Sequence, residues 1–301
     1  MLSQNNTMVG WCFLPDGREA RIGDSEGIER QVSIPAGPIR HLPDNRSFLV
    51  GALNKSGYAV IRTVDPQSMI FVMGMAHSYV HKHADDLSFE LYEHGRMIFI
   101  DTGKFGYFRR NKMRHYVQSA TAHNTISLLK QRIGPKNVDL TGSALSDTAI
   151  EDGVFVVRGE VSRPSLFSQR REFFYDPGRF LVIRDHVQAE EKQDFVSSLH
   201  IAPDLLPVLR ADGFDIELNR PDGATIGAQV SNATLDVERG RKDPLLGWYS
   251  PGYGRLEPTS TVRAHCRAKS ATISWAIWFE SRWRSAAIAH AAQTLVEHDD
   301  C

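Results

Sequence analysis

The stretch Arg171-Glu172-Phe173-Phe174-Tyr175-Asp176-Pro177-Gly178-Arg179-Phe180-Leu181-Val182-Ile183 decides the fold class. Aromatic and β-branched residues crowd both of its ends, and such residues fit the pleated, half-buried surface of a strand. Between them stands Asp176-Pro177-Gly178. Proline presets φ at the second position of a turn and glycine accepts positive φ at the third, which is the chemistry of a type II turn. Two antiparallel strands joined by a tight turn are expected. His94-Gly95 separates a second pair of strand-like runs.

The same texture extends in both directions. Short apolar runs bounded by turn residues occur at 47–50, 58–64, 69–73, 87–92, 97–101, 125–129, 154–161, 170–175, 180–184, 195–201, 214–218 and 271–279. In the run 195–201, Phe195, Leu199 and Ile201 share one face with Ser197 between them, the period-two pattern of a strand. Residues 97–100 are apolar on both faces and are expected at the centre of a sheet. Long amphipathic helices are missing from the pattern, and the Ala-rich 282–294 is expected to form a short closing helix. The fold predicted is all-β, a large antiparallel β-sandwich of roughly a dozen or more strands.

Composition narrows the function. The 301 residues can bury one large core or two smaller ones. Lys plus Arg is 35 and Asp plus Glu 36, so the net charge is −1. That balance excludes the basic excess of a nucleic-acid footprint and of a polybasic membrane-surface protein. No run approaches the length of a membrane-spanning helix. Met1 to Thr7 lack the basic start and apolar run of a signal peptide. Three scattered cysteines make neither a disulfide framework nor a CxxC zinc site.

Chemistry concentrates in one region. His77-Ser78-Tyr79-Val80-His81-Lys82-His83-Ala84-Asp85-Asp86 holds three of the 12 histidines. It is followed by Ile100-Asp101-Thr102-Gly103-Lys104-Phe105-Gly106-Tyr107, by Arg114-His115-Tyr116, and by Thr121-Ala122-His123-Asn124-Thr125. Imidazole and carboxylate together suit zinc better than magnesium or calcium. In an extended strand His81, His83 and Asp85 would share a face. A two-residue turn at His94-Gly95 would set Asp101 opposite Ser88, so the chain before Leu87 must fold back to bring His83 to Asp101. A hydrogen-bonded buried cluster is the other reading of the same residues.

Here the sequence resembles a family. HSYVHKHADDLSFELYEHGRMIFIDTGKFGY (77–107) followed by AHNTISL (122–128) is similar to the heparinase II/III family of polysaccharide lyases. Flanking matches are Pro15-Asp16-Gly17, Ile22-Gly23-Asp24-Ser25, Phe174-Tyr175-Asp176 through Asp185-His186-Val187, Leu199-His200-Ile201-Ala202-Pro203 and Gly247-Trp248-Tyr249-Ser250-Pro251-Gly252-Tyr253-Gly254. The resemblance implies a C-terminal β-sandwich that pairs with an N-terminal α/α toroid across a catalytic cleft. It implies β-elimination on an acidic, uronate-containing polysaccharide such as a glycosaminoglycan or alginate. It further implies one structural zinc on His83, Asp101 and His123, with His81 facing the cleft.

The resemblance also sets expectations for the remaining parts. Residues 1–45 are expected to lead in from a missing helical domain and to hold the first strands, 46–280 to be the sandwich, and 281–301 a tail or short helix. The toroid's residues are not in this sequence, so the chain is read as a fragment, as the partner of a separate helical domain, or as inactive. Tyr107, Tyr116 and His81 are the catalytic candidates, since Tyr and His suit proton transfer. Arg114 and Asn124 are candidates for binding substrate, Arg114 through a bidentate pair with a carboxylate. Asp85 is a candidate orienter of a ligand histidine, His200 a core histidine, and Trp248, Tyr249 and Tyr253 packing residues rather than sugar platforms. Family lyases are typically periplasmic or secreted. The rival readings are a non-catalytic zinc-stabilised carbohydrate-binding or assembly module, and a cupin-like metal oxygenase on a β-barrel.

Overall fold

The computed structural model describes residues 9–27, 29, 37–63, 67–108, 110–210 and 215–292. The expected turn is present. Arg179 N–H donates to Asp176 C=O at 2.9 Å, and Gly178 takes φ 76°. It joins the strands Phe167–Asp176 and Phe180–His200, which pair from Asp176 opposite Phe180 to Ser168 opposite Gln188. The second strand does not stop near residue 184. It runs 21 residues and absorbs the separate strand expected at 195–201. The polar stretch 189–193 reads as a break in sequence. In the fold it is a solvated irregularity in the ladder between Gln188 and Gln193, which bends a strand without ending it.

That long strand pairs with Ser260–Trp278 from Phe180 opposite Trp278 to His200 opposite Thr261. The two form the spine of a ten-stranded antiparallel sheet. A second sheet of six strands is a meander with Tyr58–Thr63, Ser68–Met73 and Phe89–Glu93 at its middle and Arg96–Phe99 at one edge. The sheets face each other through aromatic side chains. Phe89 meets Phe173 and Phe48 meets Phe155, each edge to face at 5.4 Å, the geometry ring quadrupoles favour. The result is an antiparallel β-sandwich, and among the described residues the sheets do not close into the barrel required by the oxygenase reading.

Two expectations need correction. Residues 97–100 are buried, but they lie at the edge of the six-stranded sheet. Their burial comes from the end of the long strand, because Ile100 N–H donates to His200 C=O at 2.9 Å and Ala202 N–H to Ile98 C=O at 3.0 Å. The edge is sealed by the other sheet. The His94-Gly95 turn is tight, with φ 49° and 77°, which suits a type I′ hairpin. A register shift between Leu91 and Tyr92 then sets Leu91 opposite Phe99, one residue from the simple count that put Asp101 opposite Ser88.

The closing helix is Arg284–Ala292, seated through Ala287 among Phe174, Phe180 and Trp278. Val64, Phe214 and the expected helix end at 293–294 lie outside the described residues. Among the described residues no helix is long and apolar enough to cross a membrane.

Buried polar groups join the layers. Arg171 and Asp185 are direct cross-strand neighbours and pair through two bonds, Nε to Oδ1 and Nη2 to Oδ2, both 2.7 Å. Arg171 Nη1 donates to Leu87 C=O at 2.9 Å and to Asn124 C=O. Glu93, at the other end of the sandwich, accepts from Tyr175 O–H and from Gly178 N–H. It therefore ties the His94-Gly95 hairpin to the turn that opens the long strand.

Replacing Arg171 by Met should cost about 3–5 kcal/mol in urea unfolding, because Asp185 is left buried without its counter-charge. A loss below about 1 kcal/mol would remove Arg171 from its role as cross-layer tie. Glu93 gives a pH test. Burial pushes its carboxyl from 4.5 up to about 7. The unfolded chain releases this proton first as pH rises. The contribution of Glu93 is therefore full below pH 4.5, falls by roughly 3 kcal/mol towards pH 7, and is flat above. In Glu93→Gln this slope should vanish, and an unchanged pH profile of unfolding would contradict the assignment.

Candidate functional site

The segment between Ala76 and Phe89 is a loop, so His81, His83 and Asp85 do not share a strand face. His81 takes φ 57°, a left-handed conformation that reverses the chain. This sends His81 outward, with 64% of its side chain exposed, and His83 inward, where it is fully buried. The turn at Gly23 receives the reversal. Asp24 N–H donates to His81 C=O at 3.1 Å, and a Cβ on Gly23, whose φ is +50°, would sit 2.3 Å from that oxygen. Only glycine fits there. The chain before Leu87 thus folds back, as bringing His83 near Asp101 requires.

Asp24 is the hub. Its Oδ1 accepts from His83 Nε2 at 3.0 Å and its Oδ2 from His81 Nδ1 at 2.9 Å. Arg114 grips both oxygens, Nη1 to Oδ1 at 2.5 Å and Nη2 to Oδ2 at 3.0 Å. Burial alone would raise the Asp24 carboxyl. The hydrogen bonds from His83, Arg114 and His81 outweigh it and hold the group well below the ordinary carboxylate range. A carboxylate only accepts, so each imidazole donates to it. In neutral form His81 therefore presents its Nε2 lone pair and His83 its Nδ1 lone pair.

Around His81 lies a half-exposed aromatic rim. The Tyr107 ring stands edge-on to His81 at 6.1 Å and lies 6.4 Å from the Tyr253 ring. Lys104 Nζ sits 4.8 Å from the Tyr107 ring centre, 3.4 Å from its hydroxyl, and pairs with Glu26. The Arg114 guanidinium lies 5.4 Å from the same ring. Charge and aromatic faces are thus interleaved on one surface.

His83, Asp101 and His123 come together beneath this rim. His123 Nδ1 donates to Asp101 Oδ2 at 2.5 Å, and the His83 and His123 rings lie 5.4 Å apart. Burial lowers His83, whereas at His123 burial is outweighed by Asp101 and the shift is upward. His83 Nδ1 and His123 Nε2 are buried without a hydrogen-bond partner. Two buried lone pairs beside a carboxylate are the donor chemistry of a zinc site. Among the described residues, however, no three His, Cys, Asp or Glu side chains are arranged as a ready metal-binding group, because Asp101 is turned to His123.

Other candidates are placed elsewhere. Arg114 is buried and spent on Asp24, so it is neither solvated nor free to pair with a substrate carboxylate. Asn124 is buried, with its amide donating to Phe89 and Ile100 C=O and its oxygen accepting from His200 N–H. It fastens strands and has no capacity left for a substrate. Tyr116 packs with Met113, Val117 and Leu246 on the far face of its helix, and burial pushes its phenol up. Asp85 accepts from Gly23 N–H beside Lys82 and does not orient a histidine. His200 is a core histidine, Nδ1 against Thr261 at 3.1 Å. Tyr249 packs inside against Arg21, while Tyr253 is half-exposed at the rim.

Sequence reading alone left Asp24, Glu26 and Lys104 without roles. Asp24 carried one usable signal, the glycine before it in Ile22-Gly23-Asp24-Ser25. The partnership with His81 and Arg114 spans too much chain for spacing to reveal.

Comparison with known proteins bears on this geometry. The family described as Heparinase II/III-like, C-terminal, matches residues 45–276. A heparin-sulfate lyase of Bacteroides thetaiotaomicron is 30% identical over 145 residues, 44% of this chain and 20% of that protein. The structure of heparan sulfate lyase HepC from Pedobacter heparinus superposes with a TM-score of 0.72 at 16% identity, over 89% of this chain and 45% of that one. A heparinase III structure gives 0.72 at 16%, over 93% and 49%. These two likenesses show a shared fold. The chain spans about half the length of those solved relatives.

Proposed function

This chain belongs to the heparinase II/III-like family, and from that premise we propose that it is the sandwich part of a polysaccharide lyase that cleaves a heparin-type uronate polymer by β-elimination. The observation that carries the reading is the Asp24–His81 pair at the aromatic rim. An α/α-toroid domain, in the same protein or a separate chain, would face this rim across the cleft.

In the reaction a base takes the proton at C5 of the uronate. The electron pair forms the C4–C5 double bond, and the C4–O bond breaks to release the leaving sugar. With Nδ1 held by Asp24, His81 directs Nε2 outward and is the base. Tyr107, half-exposed with its hydroxyl 3.4 Å from Lys104 Nζ, returns a proton to the leaving oxygen. Lys104 donates to the Tyr107 hydroxyl and lies over its ring, which orients the phenol and favours the negative charge left on it when its proton leaves. Tyr116, buried behind its helix, has no part in this scheme.

The same reading includes one structural zinc on His83, Asp101 and His123. When bound it would cross-link the loop carrying His83 to the strand ends carrying Asp101 and His123. Two unpartnered imidazole nitrogens in a buried site support it.

The test is absorbance near 232 nm for unsaturated uronate ends, with heparin, heparan sulfate and alginate as substrates. Product from the first two is expected, with His81→Ala slower by about a hundredfold. Product at the wild-type rate from His81→Ala would overturn the assignment of the base. Saccharide binding without product would favour the non-catalytic carbohydrate-binding reading. Metal analysis tests the zinc independently. One equivalent is expected in the wild type and none in His83→Ala or Asp101→Ala, with lower melting temperatures, because metal binding here adds to folding free energy. Unchanged metal content and melting in both variants would exclude it.

A further inference from the structure

The helix Lys112–Val117 has two working faces. Arg114 points to Asp24. Lys112, His115 and Tyr116, spaced at i, i+3 and i+4, fall on another side. There they line a cavity of about 700 Å³, within the usual range for small-molecule sites. Its floor includes the buried side chains of Tyr116, Leu128 and Leu246.

The walls are cationic. Among the lining residues Lys and Arg outnumber acidic residues six to one, Asp243 being the acid, although the whole chain carries −1. Some of this charge is spent, since Arg263 pairs with Asp236, Arg241 with Glu238 and Lys130 with Asp194. Lys112, Arg132 and Lys242 are exposed and have no ion-pair partner among the described residues. Asp243 is the one acid among the lining residues, so most of this charge meets whatever enters the cavity.

We propose that this cavity is a second binding site for acidic saccharide, one that takes the carboxylate or sulfate groups of a polymer segment between Lys112, Arg132 and Lys242 and lays its sugar rings on the Tyr116–Leu246 floor. The ligand class rests on the lyase reading. The helix then separates the reacting rim from a holding site about one helix diameter, roughly 10 Å, away. Polymer held there stays on the protein after cleavage.

The experiment is calorimetric titration of the 301-residue chain with a size-defined heparin hexasaccharide on ice, with absorbance near 232 nm read on the same samples. The triple variant Lys112→Ala/Arg132→Ala/Lys242→Ala should bind at least about tenfold more weakly. A control that removes the same charge elsewhere, Lys192→Ala/Arg267→Ala/Lys269→Ala, should change binding by less than about twofold. The inference fails if the wild type does not bind, if the cavity variant binds like wild type, or if the control loses as much. Weakened binding in the cavity variant alone, with no product from any sample, would leave the site standing and overturn the assignment of base and acid to this chain's own rim. Wild-type binding by the cavity variant together with product from the wild type would do the reverse.

Discussion

Arg171 is the tie on which the two layers depend. Its pairing with Asp185 is set by strand register, since the two residues lie directly opposite in the ten-stranded sheet. A buried bidentate pair is seldom a net gain over well-packed apolar residues. Its value lies in the nitrogen left over. Nη1 reaches Leu87 and Asn124 carbonyls, which end the loop carrying His83 and follow His123. One guanidinium, neutralised within its own sheet, fixes two separate pieces of the site relative to the sandwich. Asn124 completes the fastening from the other side through Phe89, Ile100 and His200.

On that frame the loop before Phe89 does what a strand could not. An extended run would put His81 and His83 on one face. The left-handed residue at His81 separates them, so one imidazole meets solvent and the other is enclosed. The Gly23 turn receives the displaced carbonyl of His81 and delivers Asp24 between the two rings. Lys82, between the histidines, is buried against Asp86 and Met75 C=O. The loop is therefore held by polar bonds of its own residues together with those of the Gly23 turn.

Most of the sandwich was legible because period-two apolar runs and turn chemistry are local. The Asp176-Pro177-Gly178 turn and the I′ hairpin at His94-Gly95 followed from two or three residues each. What failed was non-local. The polar stretch at 189–193 looked like a break because nothing in it shows Ser260–Trp278 running alongside. Residues 97–100 looked central because apolarity on both faces does not say which sheet covers them. At the site, residue types announced His81, His83, Asp101 and His123. Arg114 and Asn124 looked equally suited to a ligand. Only the fold shows that one is spent on Asp24 and the other on backbone.

The charge count at Asp24 gives Arg114 a part in the proposed reaction without contact to substrate. The side chain of Asp24 is enclosed and faces two imidazoles and one guanidinium. With Arg114 absent, the carboxylate would face only the two imidazoles and lie without a guanidinium counter-charge. Arg114 supplies the balancing charge through its two bonds to the carboxylate. Asp24 is then free to act on His81 by orientation alone. It fixes Nδ1 as the donor and leaves the outward nitrogen with its lone pair. In the proposed reaction, the pair that looks from outside like a buried salt bridge is what leaves an exposed histidine oriented to serve as the base.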